Sequence, residues 1–333
     1  MPQSVGILGT GSYLPKDEVT NEEIAQRVGV TAEWIERKTQ IGGRRYAAPH
    51  EATSDLAVEA AAEALEQAQL HAEDLDYIIV STSTGDFPQP PTACIVQDAL
   101  GAGNAAAFDI NVVCSGFVYG ISLAQALIGD RTDCRVLVIG ADLYSRILDF
   151  SDRRTAVLLG DGAGAAVVGP VADGYGILDT YLASRGDKNQ VIRVEAGGSR
   201  LPTSHETVDG GGHFFKMEGR KVRDFVAENV PPALLTLLSR AGVRPDEVHH
   251  FVPHQANGVM LDDLVERVGL VNARTHRTLD RYGNVGSASV PVALDDARRN
   301  GSLNDGDLVM LSGFGGGMAQ GACLLRWGSG QDR

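Results

Sequence analysis

The sequence predicts an α/β protein made of two similar halves packed face to face around a shared core. Three observations carry that reading. Apolar runs of strand length alternate with stretches of helical periodicity along most of the 333 residues, as in sheets covered by helices. Segments of the first half recur in the second at nearly one shift. EDLDYIIVS (73–81) lines up with DEVHHFVPH (246–254) at about 173 positions, and RVLVIGAD (135–142) with DLVMLSGF (307–314) at about 172. Such self-similarity marks a repeated structural unit. Each of the strands at 73–81 and 246–254 also follows an apolar helix, at 54–70 and 222–241. Each half is expected to hold a mainly parallel sheet. The boundary falls near residues 170–176, giving an N-terminal half over 1–172 and a C-terminal half over 173–333.

In chain order, 5–8 predicts a first strand and Asn21 a cap for a short helix beginning at Glu22, since a side-chain oxygen there satisfies free helix N–H groups. The segment 31–47, mixed in aromatic and basic residues, reads as an exposed loop and helix. An Ala-rich helix over 54–70 precedes YIIVST (77–82), a continuous apolar run of the kind buried on both faces. Pro90 and Pro91 start a helix running to about 100, where a missing N–H does no harm. The stretch 108–130 then reads as strand, tight turn and helix, with Cys114 at the junction. A strand at 135–140 follows. The glycine run GDGAGAAVVGP (160–170) is not a nucleotide loop, because it leads into a strand and not into a helix.

Composition narrows the function. With 29 basic and 43 acidic side chains the net charge is −14, which repels nucleic-acid backbones and anionic membranes. The four cysteines, 94, 114, 134 and 323, lack metal-finger spacing, so no metal site is expected. The absence of a leading signal segment and of a membrane-length apolar run makes a cytoplasmic location the expectation.

The repeat itself points to chemistry. Ligands of open α/β sheets bind at the carboxyl ends of strands. His254 ends one such strand, opposite Ser81 in the other half. Asn284, in RYGNVGSAS, precedes the second-half helix that matches the Cys114 helix. A pseudo-twofold axis brings these helix starts together, so Cys114, His254 and Asn284 are expected to converge. A cysteine at a helix start gains thiolate character from the helix dipole. That suits acyl transfer through a thioester. His254 and Asn284 then donate hydrogen bonds to a second carbonyl that becomes an enolate, and the run FGGGMAQG (314–321) supplies backbone N–H groups to the first oxyanion. His249 and His250 read as surface or strand residues.

NVVCSGFVYGIS, LLGDGAGAAVV, VPHQAN, RYGNVGSASVPVAL and GFGGG closely resemble β-ketoacyl-acyl-carrier-protein synthase III, of the thiolase superfamily, over roughly residues 5–327. The resemblance implies a thiolase-like fold of five layers, αβαβα, and a homodimer. It implies decarboxylative condensation: an acyl-CoA loads Cys114, and a malonyl thioester, normally on an acyl carrier protein, supplies the enolate that attacks the acyl group. It also implies that Cys114 and Gly316 give the oxyanion N–H groups. Trp34, Lys38, Arg153, Gly219 and Asn257 would bind CoA or substrate, and Phe87, Leu159 and Phe314 would shape the acyl pocket. Phe87 would serve the partner's pocket. No metal or redox cofactor is implied. Asn284 separates this arrangement from chain-elongating relatives, which carry a second histidine in its role.

Departures from the family pattern cluster at the substrate entrance. The segment W-I-E-R-K-T-Q-I places Lys38 where the family has a phosphate-binding Arg, and Gln40 where it has Gly; Arg and Lys differ in how they grip phosphate. After HQAN stand Gly258 and Val259, then Asp262 and Asp263, in place of the carrier-docking Leu-Arg. Lys216, Arg220, Lys221 and Arg223 remain as a basic helix surface. Leu159 replaces a Phe of some relatives, which implies room for a starter other than acetyl. The expected role is priming of a fatty-acid or polyketide pathway. Two readings compete: an acyltransferase that passes the group to an alcohol or amine without forming a carbon–carbon bond, and a silent subunit of a synthase complex.

Overall fold

The apolar run near the N-terminus extends beyond Leu8 into a nine-residue strand, β1 (Val5–Tyr13). Its GTG segment accounts for the length. A Cβ at Gly9 or Gly11 would lie 2.4 Å from the carbonyl oxygen of Ala64 or Ala60, so only glycine lets the strand and the Ala-rich helix touch. Thr10 points to the other face, as strand periodicity requires, and its hydroxyl donates to Asp295 at 2.9 Å. The structure, a computed structural model, describes residues 3–328; the outermost residues of both expected halves, 1–2 and 329–333, lie outside the described residues.

After β1 come β2 (Asp17–Thr20), α1 (Asn21–Val28), α2 (Ala32–Thr39) and β3 (Gly43–Tyr46). Then follow α3 (Thr53–Ala68), β4 (Tyr77–Ser81), α4 (Thr92–Leu100), β5 (Ala106–Ile110), α5 (Gly116–Ile128), β6 (Val136–Leu143) and β7 (Asp161–Pro170). The second series is β8 (Gly176–Ser184), β9 (Ile192–Val194), α6 (His205–Asp209), β10 (Phe215–Met217), α7 (Gly219–Ala241) and β11 (His250–Pro253). It ends with α8 (Gly258–Val268), β12 (Arg274–Thr275), α9 (Leu279–Tyr282), α10 (Ser289–Arg299), β13 (Leu308–Gly315) and β14 (Ala319–Arg326).

The two large sheets have orders β1-β7-β6-β4-β5 and β8-β14-β13-β11-β12. They repeat each other strand for strand. β4 and β11 are each parallel to both neighbours, and β7 and β14 antiparallel to both. The sheets are therefore mixed, not mainly parallel. β14 returns beside β13 through a short turn and β7 beside β6 through a loop, so neither connection is the crossover that parallel strands need.

The layers follow from which surfaces are apolar. α3 and α4 cover the outer face of the first sheet through Leu56, Ala60, Ala64 and Val96. α7 and α8 cover the second through Phe225, Leu234, Leu237, Leu261 and Leu264. α5 and α10 lie between the sheets, where Phe117, Ile121, Val290 and Leu294 pack against Val138, Val168, Val309 and Leu311. Helix, sheet, helix, sheet, helix makes five layers.

Two local readings are corrected. Thr20, not Asn21, caps α1, with the Thr20 side chain accepting from Glu23 N–H and Glu23 answering to Thr20 N–H. Asn21 is buried instead, with its carboxamide shared between Ile41 O and Arg44. Residues 31–47 are solvated only in part: Glu33, Glu36, Arg37 and Lys38 of α2 are exposed, while Ile35, Thr39, Ile41 and Arg44 are buried. Arg44 is fully buried, and its guanidinium is held by Val19 O, Asn21 Oδ1 and Val157 O. Charge in a sequence signals exposure only until enough buried acceptors surround it.

Asp295 on α10 joins the halves. Its buried carboxylate accepts from Thr10, Ser12, Arg298 and Arg299 at 2.6–3.0 Å. Burial alone would raise its pKa, but the Ser12 hydroxyl and the two guanidiniums outweigh it and hold the carboxyl below its ordinary value. A depressed folded pKa adds stability above the unfolded value, about 3.9, and that stability is lost as pH falls through the folded value. Asp295→Asn is expected to lower stability by about 2 kcal/mol at pH 7, less than for a fully buried pair because both arginines are partly exposed. Melting curves from pH 7 to pH 3 should show the gap between variant and wild type narrowing below about pH 4.

Candidate active site

β5 runs out at Ile110, and a single tight turn, Val113–Ser115, places Cys114 directly before α5. Val113 has a φ of 47°, a conformation disfavoured for a β-branched residue and typical of strain held at a working site. Ser115 anchors the turn by donating to Ala319 O at 3.0 Å. The second half closes over the sulfur: a Cβ on Gly315 would stand 3.2 Å from Cys114 Sγ. Cys114 is 7 % exposed. Burial, reinforced by the nearby Asp142 carboxylate, pushes its thiol pKa far up, against a lesser opposing contribution from the Tyr144 hydroxyl. The thiolate expected from the helix start is therefore not the resting state, because desolvation outweighs the helix dipole here.

His254 follows β11, and its N–H donates to Ser312 O at 2.7 Å. The ring stands edge-on to Phe314 with centroids 5.2 Å apart. Burial pushes its pKa down to about 3, so the imidazole is neutral. Asn284 bridges to the first half: its N–H donates to Leu158 O at 2.8 Å, and its carbonyl accepts from Gly160 N–H at 2.9 Å. Its side-chain Oδ1 accepts from Gly286 N–H at 3.0 Å. A backbone N–H can only donate, so this contact fixes the carboxamide orientation and leaves Nδ2 as the free donor.

Cys114, His254 and Asn284 line one cavity of about 940 Å³. Trp34, Lys38, Arg153, Gly219, Asn257, Leu159 and Phe314 line it too. Arg153 stacks over the Trp34 ring, 5.8 Å from its centroid. Asn257 is committed structurally: it caps α8 through Oδ1, and its Nδ2 donates to Lys38 O at 3.1 Å. Gly316 lies one residue beyond the wall residue Gly315, against Val113 and Ile192. Phe87 does not reach this cavity and is 61 % exposed.

Two departures at the entrance are one packing event. Gln40 fills the space beside Gly258, where a Cβ would lie 2.2 Å from its Oε1. Its amide bonds Asp262 and Arg277. Lys216 stands on β10 and not on the helix that carries Arg220, Lys221 and Arg223; Lys216 and Lys221 pair with Glu195 and Glu218, and Arg223 stands 3.7 Å from Asp224. His250 is buried on β11 between His276 and Asp307, at 3.0 Å from each.

Two wall residues, and a third buried behind them, were not predicted. Tyr144 shares the cavity wall with Cys114, with its hydroxyl 3.0 Å from Ser83 Oγ. Its ring packs edge-on to Phe215. Both pack in one apolar cluster with Leu148 and Leu159. Asp142 is buried just behind them. An acid closing an apolar strand, as in RVLVIGAD, is the signal that could have flagged it.

Residues 108–186 match the family described as 3-Oxoacyl-[acyl-carrier-protein (ACP)] synthase III, and residues 238–327 match its C-terminal part. An Acetoacetyl CoA synthase NphT7 of Streptomyces sp. is 50% identical over 96% of this chain and 98% of its own. A Beta-ketoacyl-[acyl-carrier-protein] synthase III of Caldanaerobacter subterraneus subsp. tengcongensis is 47% identical over 97% and 98%. The crystal structure of the synthase III of Thermus thermophilus superposes with a TM-score of 0.90 at 39% identity, covering 97% of this chain and 99% of that one.

Proposed function

The chain belongs to the 3-oxoacyl-[acyl-carrier-protein] synthase III family, a type III ketosynthase with a thiolase-like fold, and we propose that its 940 Å³ cavity runs the reaction in two stages. In the first, the Cys114 sulfur attacks the thioester carbonyl of an acyl-CoA. The carbon–sulfur bond to CoA breaks, and the thiol proton leaves with the CoA thiolate. Backbone N–H groups of Cys114 and Gly316 receive the oxyanion. In the second, a malonyl thioester loses carbon dioxide, and its carbonyl becomes an enolate held by His254 and Asn284 Nδ2. The enolate carbon attacks the acyl-cysteine, giving a β-ketoacyl thioester and, after one proton from solvent, the free thiol. Every step is acyl substitution or decarboxylation, so the scheme uses no metal or redox cofactor.

The observation that carries this reading is the pairing of a neutral imidazole with a carboxamide whose oxygen is already spoken for. The carboxamide has only Nδ2 left to give and the neutral imidazole carries one N–H, so each offers a donor to an anion developing beside Cys114. Release of carbon dioxide from labelled malonyl thioester, dependent on acyl-CoA, tests it. Loading of Cys114 without that release would favour simple acyl transfer instead.

The mouth indicates which carrier brings the thioesters. Arg37, Lys38 and Arg153 line it without an acidic partner among the described residues, while the protein as a whole carries −14. Three free cations on an acidic protein suit the phosphates of CoA. Malonyl-CoA and malonyl-acyl-carrier protein deliver the same extender. The charges favour CoA, because Val259 stands half-exposed at the docking position and Asp262 and Asp263 hold Arg277 and Arg267. The CoA product named for the Streptomyces relative agrees. Tyr144, Leu159 and Phe215 give an acyl chain an apolar wall. Lys38→Glu is expected to raise KM for acyl-CoA about tenfold and leave the loading rate at saturation nearly unchanged; stopped-flow loading kinetics check both. We further propose a homodimer, in which Phe87 would reach the partner's pocket, and a cytoplasmic enzyme, in keeping with four free cysteines.

A further inference from the structure

Asp142 is the penultimate residue of β6 and has no exposed surface, and no cation pairs with it among the described residues. Burial raises its pKa, yet its surroundings are built for the anion. Oδ1 accepts from Ser83 N–H at 2.8 Å and from the hydroxyls of Thr82, Ser83 and Thr84 at 3.0–3.3 Å. Oδ2 accepts from Ser287 N–H at 2.8 Å and Ser287 Oγ at 2.9 Å. Each oxygen accepts one backbone N–H and has a hydroxyl beside it, so a proton added to either competes with donors already in place. Such a cage stabilises a carboxylate without a counter-ion.

The cage joins the two parts of the reaction centre. On one side, Ser83 Oγ contacts both Asp142 and the hydroxyl of Tyr144, which lines the cavity with Cys114. On the other, Ser287 and Gly286 belong to the turn after Asn284. Gly286 has a φ of 59°, and a Cβ there would lie 2.3 Å from Asp142 Oδ2 and 2.4 Å from the Tyr144 ring. The turn is thus pressed onto the carboxylate, and its Gly286 N–H orients the Asn284 carboxamide. The single Ser287 hydroxyl proton serves either Asp142 Oδ2 or Ser81 O, which stands 2.8 Å from Oγ.

We propose that Asp142 is a positioning residue for condensation: it holds the Gly286–Ser287 turn, and through it the Asn284 donor, in register with Cys114. This rests on the reading of Asn284 as an enolate donor. The charge has a second consequence at the sulfur. The titratable groups nearest Cys114 are Tyr144 and His254 on the cavity wall and Asp142 buried behind it. His254 is neutral, and Tyr144 is held in its phenol form, so Asp142 is the one that repels a thiolate.

The test separates the two effects on the full-length enzyme. Asp142→Asn must point an amide at one of two backbone donors, which loosens the turn, and it removes the charge. Condensation per acylated enzyme is expected to fall at least about tenfold. Alkylation of Cys114 by iodoacetamide is expected to quicken, with its pH midpoint about one unit lower. A fall in condensation with a slower or unshifted alkylation profile would mean general disruption and overturn the proposal. Ser287→Ala removes only the turn-side hydroxyl. It should lower condensation per acylated enzyme several-fold and leave the alkylation profile at wild type; it decides the matter should Asp142→Asn fail to fold. Asn284→Ala is the reference. If it abolishes condensation while Ser287→Ala leaves condensation intact, the role of Asp142 fails and that of Asn284 stands. If Asn284→Ala itself condenses normally, both fall.

Discussion

Cys114→Ala is expected to accept no acyl group from any acyl-CoA and to lose condensation by roughly four orders of magnitude or more. The size of the effect follows from the absence of a substitute. The other cysteines are Cys94, Cys134 and Cys323, all free thiols, and none lines the cavity. Cys134 and Cys323 are sealed in the core between the sheets. Intact-mass spectrometry after acyl-CoA addition should show one acyl adduct on wild type and none on the variant. The fold should survive, since alanine leaves the tight turn and the Ser115 anchor in place. His254 and Asn284 are untouched, so slow decarboxylation of the malonyl thioester should persist, uncoupled from carbon–carbon bond formation. Acylation of the variant at another residue would break the assignment. A wild type that never acylates would return the silent-subunit reading.

The wild-type thiol carries a further expectation. Burial and Asp142 hold it protonated far above neutrality, so general thiol reagents should modify it slowly at pH 7. An acyl-CoA should still load it quickly, because the oxyanion donors act only on a bound thioester. Helix-start cysteines are often reactive; this one is expected to be selective.

The sequence carried the architecture because duplication leaves a record in apolar patterning. The strands aligned at 73–81 with 246–254, and at 135–142 with 307–314, are structural counterparts in two sheets of identical order. Their shared geometry brings Cys114, His254 and Asn284 into one cavity across a separation of 170 residues from Cys114 to Asn284. Strand direction was less legible. Apolar content says that β7 and β14 are buried, not which way they run. Buried polar residues were least legible of all. Arg44 looked like surface because its partners, Val19 O, Asn21 and Val157 O, are contributed by separate elements. Asp142 and Tyr144 escaped for the same reason: the donors that make a buried carboxylate tolerable lie on β4's trailing loop and on the Asn284 turn, some 60 and 145 positions away. The pairing of Gln40 with Gly258 likewise emerges only when α2 and α8 are seen side by side.

Asn284→Ala and His254→Ala should each reduce condensation by about 10²–10³-fold, or roughly 3–4 kcal/mol of barrier, while Cys114 still acylates. The split between stages is the informative part. Acyl loading uses backbone donors near Cys114, which neither substitution removes. Decarboxylation places negative charge on the malonyl carbonyl, and there the Asn284 Nδ2 and the His254 imidazole are the donors at hand. A variant that also loses loading would mean that the cavity has collapsed. One that keeps both stages would remove the enolate role. The acid limb offers an independent check. A histidine at its ordinary value, about 6.5, would gain a proton between pH 7 and pH 5 and change the rate over that interval. Burial pushes His254 down to about 3, so its neutral form persists across the whole interval. Condensation by acyl-loaded enzyme should therefore show no inflection near pH 6.5 attributable to this ring. If a limb does appear there and His254→Asn abolishes it, the imidazole is solvated in the working enzyme and acts by proton transfer, which would shift the mechanism toward general acid–base catalysis.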